Sequence, residues 1–125
     1  MAIGRQSTPK WLILLFLVGC ATLEQESAQQ KDIADPLYED LDHGALQNAR
    51  NALQLALESL RSRATYKWQD STGSNGSVTP TRTFRIATGH YCREYTEVVS
   101  GPTGMASTIR VACRNADGIW KVARR

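Results

Sequence analysis

The chain has 125 residues, 42% of them hydrophobic and 22% charged, with a formal net charge of +3, which is enough chain for one small domain and no more. Residues 20–43 carry seven acids (Glu24, Glu26, Asp32, Asp35, Glu39, Asp40, Asp42) against Lys31, and from Gly44 onward basic residues outnumber acids twelve to five. These basic residues are scattered singly, which argues against a nucleic-acid partner.

The first element is a leader. Arg5 and Lys10 supply positive charge, residues 11–18 (WLILLFLV) are continuously apolar, and Gly19 precedes Cys20. A basic start, a short apolar middle and a small residue at the cut form a secretory signal peptide, residues 1–19. The apolar run is about half of the roughly 20 residues a helix needs to cross a bilayer. The stretch LVGC resembles the lipobox of bacterial lipoproteins. The resemblance implies cleavage before Cys20, a diacylglycerol on its thiol and a palmitate-type acyl group on the new amino terminus. Several acyl chains give a stable membrane anchor where one gives only marginal binding. Ala21 rather than Asp follows the cysteine, which by the same resemblance favours the outer membrane.

Residues 20–42 are polar, acidic and poor in large apolar groups. Such a stretch buries too little surface to offset its ordering entropy, so a flexible tether is expected, with a short helical piece around residues 36–41. Residues 43–125 form the domain. Leu46, Ala49, Leu53, Ala56, Leu57, Leu60 and Ala64 recur at helical spacing and predict a helix over about 43–63 with one apolar stripe. Asp42 is placed to cap its start, and Arg61 and Arg63 suit the negative end of its dipole.

From Thr65 the period changes to that of strands. TYKWQ, SVTPTRTFRIA, YCREYTEVVS, MASTIRVACR and IWKVA are separated by turn-forming clusters. Short strands with tight links predict an antiparallel meander. Pro80 confines its strand to an edge position or a bulge. The fold class is therefore α+β, one N-terminal helix packed on an antiparallel meander sheet of about five strands. Treating residues 101–104 as a loop puts Ser100 opposite Met105 and Cys92 opposite Cys113. Antiparallel partners of the closer kind have Cα atoms about 4.5 Å apart, within disulfide reach. The step through residues 115–118 then sets Trp120 beside Cys113 and Val122 beside Val111. On this register Cys113, Val111, Ile109, Trp120 and Val122 share the face expected to receive the helix. Glu94 lands on that face too: the strand bulges there, or Glu94 lies at an open margin, or the loop is off by one.

The residue types that carry chemistry are few. With Cys20 in the anchor, Cys92 and Cys113 are an even pair in an oxidising compartment, and a disulfide is expected. Closing a loop of roughly 20 residues stabilises by about 3 kcal/mol. Zinc usually wants four ligands at short spacings, and only His90 and His43 add nitrogen, so no metal is expected. His90, Cys92 and Glu94 alternate on one strand as a thiol nucleophile with a base would, but a disulfide removes the nucleophile. No nucleotide-binding glycine pattern appears, and no cofactor is expected. Tyr91, Arg93, Tyr95, Glu97 and Val99 fall on the other face, with Tyr95 opposite Arg110 and Tyr91 opposite Arg114. Tyr91, Arg93, Tyr95, Arg110 and Arg114 thus form an aromatic–arginine strip. It reads either as a solvated sheet face with cross-strand packing or as a binding face for an anionic or saccharide ligand.

Trp68, VTPTRT at residues 78–83, YCREYT at 91–96, ACR at 112–114 and DGIW at 117–120 together resemble the C-terminal domain of the 17-kDa surface antigen family of rickettsial-type envelope lipoproteins. The resemblance covers about residues 66–122 and the lipobox. Many members carry a glycine-zipper segment where this chain has the acidic stretch and the Ala/Leu helix, so a membrane-inserting role does not carry over. The resemblance implies a non-catalytic, lipid-anchored lipoprotein of the outer membrane, not an enzyme, with a structural or interaction role. The alternative is a periplasmic binding or inhibitor module engaging a protein or glycan through the Tyr/Arg strip.

Overall fold

The computed structural model describes Gly4 and residues 35–123. Apart from Gly4, the expected signal peptide, the lipidated Cys20 and the tether up to residue 34 lie outside the described residues.

One helix, α1 (His43–Ser59), precedes five strands: β1 (Tyr66–Gln69), β2 (Asn75–Arg85), β3 (Tyr91–Gly101), β4 (Gly104–Arg114) and β5 (Trp120–Val122). They form one antiparallel sheet in chain order, the expected α+β meander. The Asp42 carboxylate accepts the Ala45 amide at 2.8 Å and caps the helix start, satisfying an amide that has no partner inside the helix. The helix is shorter than its stripe suggests. It stops at Ser59, Leu60 closes it by donating its N–H to the Ala56 carbonyl, and Arg63 takes φ +73°. Arg61 and Arg63 therefore lie beyond the helix and do not serve its dipole. Arg93 of β3 does, donating from Nη1 to the Leu57 carbonyl at 2.7 Å.

The β3–β4 ladder has the expected register, Cys92 opposite Cys113 and Ser100 opposite Met105, and the two cysteines form a disulfide. The β4–β5 step differs by one residue: Trp120 pairs with Arg114 and Val122 with Ala112. Asn115 causes the difference. Its side-chain oxygen accepts both the Asp117 and Ile119 amides, at 3.0 and 2.9 Å. This Asx turn draws Ile119 into the loop. A one-residue slip moves every later side chain to the opposite face, so Trp120 reaches the helix side.

The sheet buries the face opposite to the one expected. Under α1 lie Val78, Tyr95, Ala112 and Trp120, packed with Leu53, Ala56 and Leu57. Trp68 and Val99 meet Ala45, Ala49 and Ala52 further along, with Leu37. The alanines bring the helix axis close to the sheet, and Gly76 makes room for the Trp68 indole across the ladder: a Cβ there would sit 2.6 Å from Trp68 Nε1 and 2.4 Å from Val98 O. The other face carries the disulfide together with Val111 and Ile109, and Ile109 is 67% exposed. Glu94, opposite Val111, is on this open side beside Thr81 and Arg82, where β2 bulges between Pro80 and Arg82. The misfit in its placement disappears once that face is solvated.

Residues 35–42, the last eight of the expected tether, are an arm that packs on the sheet. Leu37 is buried. Tyr38, Asp40 and Asp35 each bond to a different part of the β3–β4 hairpin. Three apolar groups, Leu37, Tyr38 and Leu41, supply the burial that the acidic composition hides.

Candidate functional site

The five residues of the aromatic–arginine strip do share one face, and Tyr95 does oppose Arg110. That face is the helix side. Arg93 and Tyr95 are buried, 6% and 0% exposed, so the continuous exposed strip is corrected to two separate places. Helix and arm cover its middle: the Arg93 guanidinium reaches the Ala56 and Leu57 carbonyls, and Tyr38 lies against Glu97.

The first place is the polar cluster beneath the arm. Glu97 is fully buried. Its two carboxyl oxygens each lie 2.7 Å from the Tyr38 hydroxyl. Burial is the main reason its carboxyl is pushed up to about 7, and the Tyr38 hydrogen bond and the Arg110 charge only partly offset that. A protonated Glu97 can return a hydrogen bond to Tyr38, which suits a phenol with one hydrogen facing two oxygens. Burial, then the neighbouring Glu97, pushes the Tyr38 hydroxyl far above its ordinary value. Arg110 pairs with Asp35 in bidentate fashion, Nη2 to Oδ1 at 2.7 Å and Nη1 to Oδ2 alongside. The guanidinium holds the Asp35 carboxyl below the usual range. Tyr95 also lies in this cluster, and its buried hydroxyl has no hydrogen-bond partner. At the arm's far end Asp40 accepts the Thr103 amide and hydroxyl at 2.7 and 2.6 Å. Pro36, Leu37 and Asp40 border a hollow of about 470 Å³ against Val99, Thr103 and Met105.

The second place is a wide-mouthed groove of about 400 Å³ at the carboxyl end of α1, lined by Leu57, Glu58, Thr83, Tyr91, Arg93, Arg114 and Trp120. Arg114 forks onto Glu58 at 2.9 and 3.2 Å, and Trp120 Nε1 donates to the same carboxylate at 2.7 Å. Tyr91 is half exposed, with the Arg85 guanidinium 4.8 Å from its ring centre. Two aromatic edges with a fixed cation offer stacking and hydrogen bonding to a ring that bears oxygens.

The alternating trio separates. Cys92 is in the disulfide, His90 Nδ1 lies 3.0 Å from Arg114 O, and Glu94 faces Thr81 and Arg82. Among the described residues no group of three His, Cys, Asp or Glu side chains could hold a metal ion. Sequence reasoning missed Asp35, Tyr38 and Glu97 as one cluster. The available signal was Glu97 itself, an acid in line with Tyr95 and Val99 at period two.

A family model described as 17 kDa outer membrane surface antigen matches residues 55–121. The chain is 41% identical over 70 residues to the 17 kDa surface antigen of Rickettsia felis, 43% to that of Rickettsia prowazekii and 39% to that of Rickettsia bellii. Each alignment covers 55% of this chain and 44% of the relative, so the match spans less than half the length of these curated relatives. No solved structure matches the chain. The matched residues include β1–β4, the disulfide and the groove at the end of α1, and they exclude the arm.

Proposed function

The chain belongs to the 17 kDa outer membrane surface antigen family, and from this we propose that it is a non-catalytic envelope protein with a structural or interaction role. In this reading a lipid on Cys20 holds it at the outer membrane, and the folded domain is what the lipid displays. The observation that supports it most is how the polar groups are spent. Arg93 serves helix carbonyls, Arg110 serves Asp35, Tyr38 serves Glu97 and Cys92 serves Cys113. Each joins two parts of the fold, which is the work of a scaffold.

A second reading, a binding or inhibitor module for a protein or glycan, is favoured by the groove at the end of α1. Tyr91 and Arg114 remain accessible there beside Trp120. Mass spectrometry of protein extracted from membranes tests the anchor: the expected result is a chain beginning at an acylated Cys20, and an unmodified amino terminus at Met1 overturns it. Cross-linking in intact envelopes tests the groove. An adduct lost in Tyr91→Ala and Arg114→Ala, with thermal stability retained, supports the binding module over the scaffold.

A further inference from the structure

We propose that the outer edge of β4 is a self-complementary interface through which two copies of this chain pair antiparallel about a two-fold axis.

β4 runs over Gly104–Arg114, but β5 pairs only with Ala112, Cys113 and Arg114. The outer side of the strand before Val111 has no backbone partner among the described residues. Antiparallel ladders alternate pairs that exchange hydrogen bonds with closer pairs that do not. Cys92 and Cys113 have Cα atoms 4.0 Å apart, a pair of the closer kind. Arg93–Ala112, Tyr95–Arg110, Glu97–Thr108 and Val99–Ala106 therefore exchange bonds across β3–β4, and Met105, Ser107, Ile109 and Val111 turn their N–H and C=O groups outward. Val111 confirms the phase, since its carbonyl accepts from Ala123 N at 2.8 Å on that outer side. Met105, Ser107 and Ile109 leave three donors and three acceptors in a row.

Such an edge is a template for another strand, and proteins usually guard it with Lys, Pro, a bulge or an inward charge. Gly104–Val111 has no Lys or Pro, and its ladder with β3 is regular. The charge it does hold, Arg110, is turned to the helix side and bound by Asp35. The apolar side chains on the open face are among the most exposed of the described domain, Met105 at 75% and Ile109 at 67%.

The order of residues selects a second copy over an unrelated strand. Antiparallel pairing centred on Ser107 sets Met105 opposite Ile109 of the other copy, Ser107 opposite its counterpart, and Ala106 opposite Thr108. All three outward residues then meet outward residues, so every free donor finds an acceptor. The two Met–Ile pairs form an apolar patch on the disulfide face. Arg110 falls opposite Gly104, so the two guanidiniums do not collide. A one-residue shift would set outward groups against amides already bonded to β3. The result is a continuous sheet across both copies, with an isologous interface of the kind closed dimers use.

Sedimentation of the purified full chain in detergent over a dilution series reads the association. The expected result is a reversible dimer. Ile109→Lys and Ser107→Pro should each weaken it at least about tenfold, as edge charges and edge prolines do, while leaving the melting temperature of the monomer, read at the lowest concentration of the series, unchanged. Ser107→Cys should form an inter-chain disulfide under mild oxidation, whereas Thr72→Cys, exposed in the β1–β2 turn and carrying the same Cys20, reports the background. A monomer at every concentration overturns the proposal. So does a dimer that Ile109→Lys and Ser107→Pro leave intact, or a Ser107→Cys that cross-links no faster than Thr72→Cys.

Discussion

Glu97 is the most consequential single side chain. Its carboxyl is held at about 7 against an ordinary 4.5, so the fold favours the protonated form. The stability this gives is complete below about pH 4.5 and is lost as the pH rises through about 7. Asp35 works the other way: its lowered value adds stability above the ordinary 3.8 and loses it as the pH falls. Thermal melts between pH 5 and 8 should therefore show the wild type losing stability toward pH 8, on the order of 2 kcal/mol. Glu97→Gln should flatten that slope, and an unchanged slope would remove Glu97 as its source. Tyr95 gives a contrasting case. Its hydroxyl is buried without a partner, and deleting an unpaired polar group costs nothing. Tyr95→Phe should leave stability equal or raise it by about 1 kcal/mol, read by denaturant titration, whereas Tyr38→Phe should lower it by a similar amount. Neither role is legible in the sequence. Alternation sorts β3 into two faces but does not say which is covered. Long polar residues look solvated until a partner arrives from elsewhere, and Tyr38 comes from 59 positions away.

Helix and strands were far more legible than their side chains' company, because they follow from local periodicity and caps. The Asp42 cap, the meander and the Cys92–Cys113 register all follow from spacing alone. Two boundaries did not. α1 ends early because Arg93, a strand residue, takes up its last carbonyls, and no local pattern near residue 60 records that. β5 slips by one residue because Asn115 organises its turn through its side chain. Arg93 thus acts as a helix cap supplied by the sheet. Arg93→Met keeps the packing of the stem and removes the charge-assisted bond, and it should cost about 2 kcal/mol with fraying of the last turn of α1, followed by amide exchange at Leu57 and Leu60. An exchange pattern like that of the wild type would mean that Leu60 alone closes the helix.

Across the described domain, one sheet face carries nearly all the packing and the other carries the covalent bond. Helix and arm together cover the first, and the disulfide joins β3 to β4 from the second. The link closes a chain separation of 21 residues, for which loop entropy gives about 3 kcal/mol. Reduction should lower the denaturation midpoint accordingly, and Cys92→Ser with Cys113→Ser should reproduce the reduced state. A midpoint that ignores reductant would assign the fold's stability to the helix face alone. The sequence revealed this bond because cysteines are scarce and their spacing is strict. It concealed the arm because acidic composition masks three well-placed apolar groups.

The arm also sets how a mechanical load travels. A pull along the chain from the amino-terminal side of Asp35 is caught first by the clamp on Arg110, halfway along β4. That strand is bolted to β3 by sulfur, so traction spreads as shear between β3 and β4. The helix, next along the chain, is spared the tug.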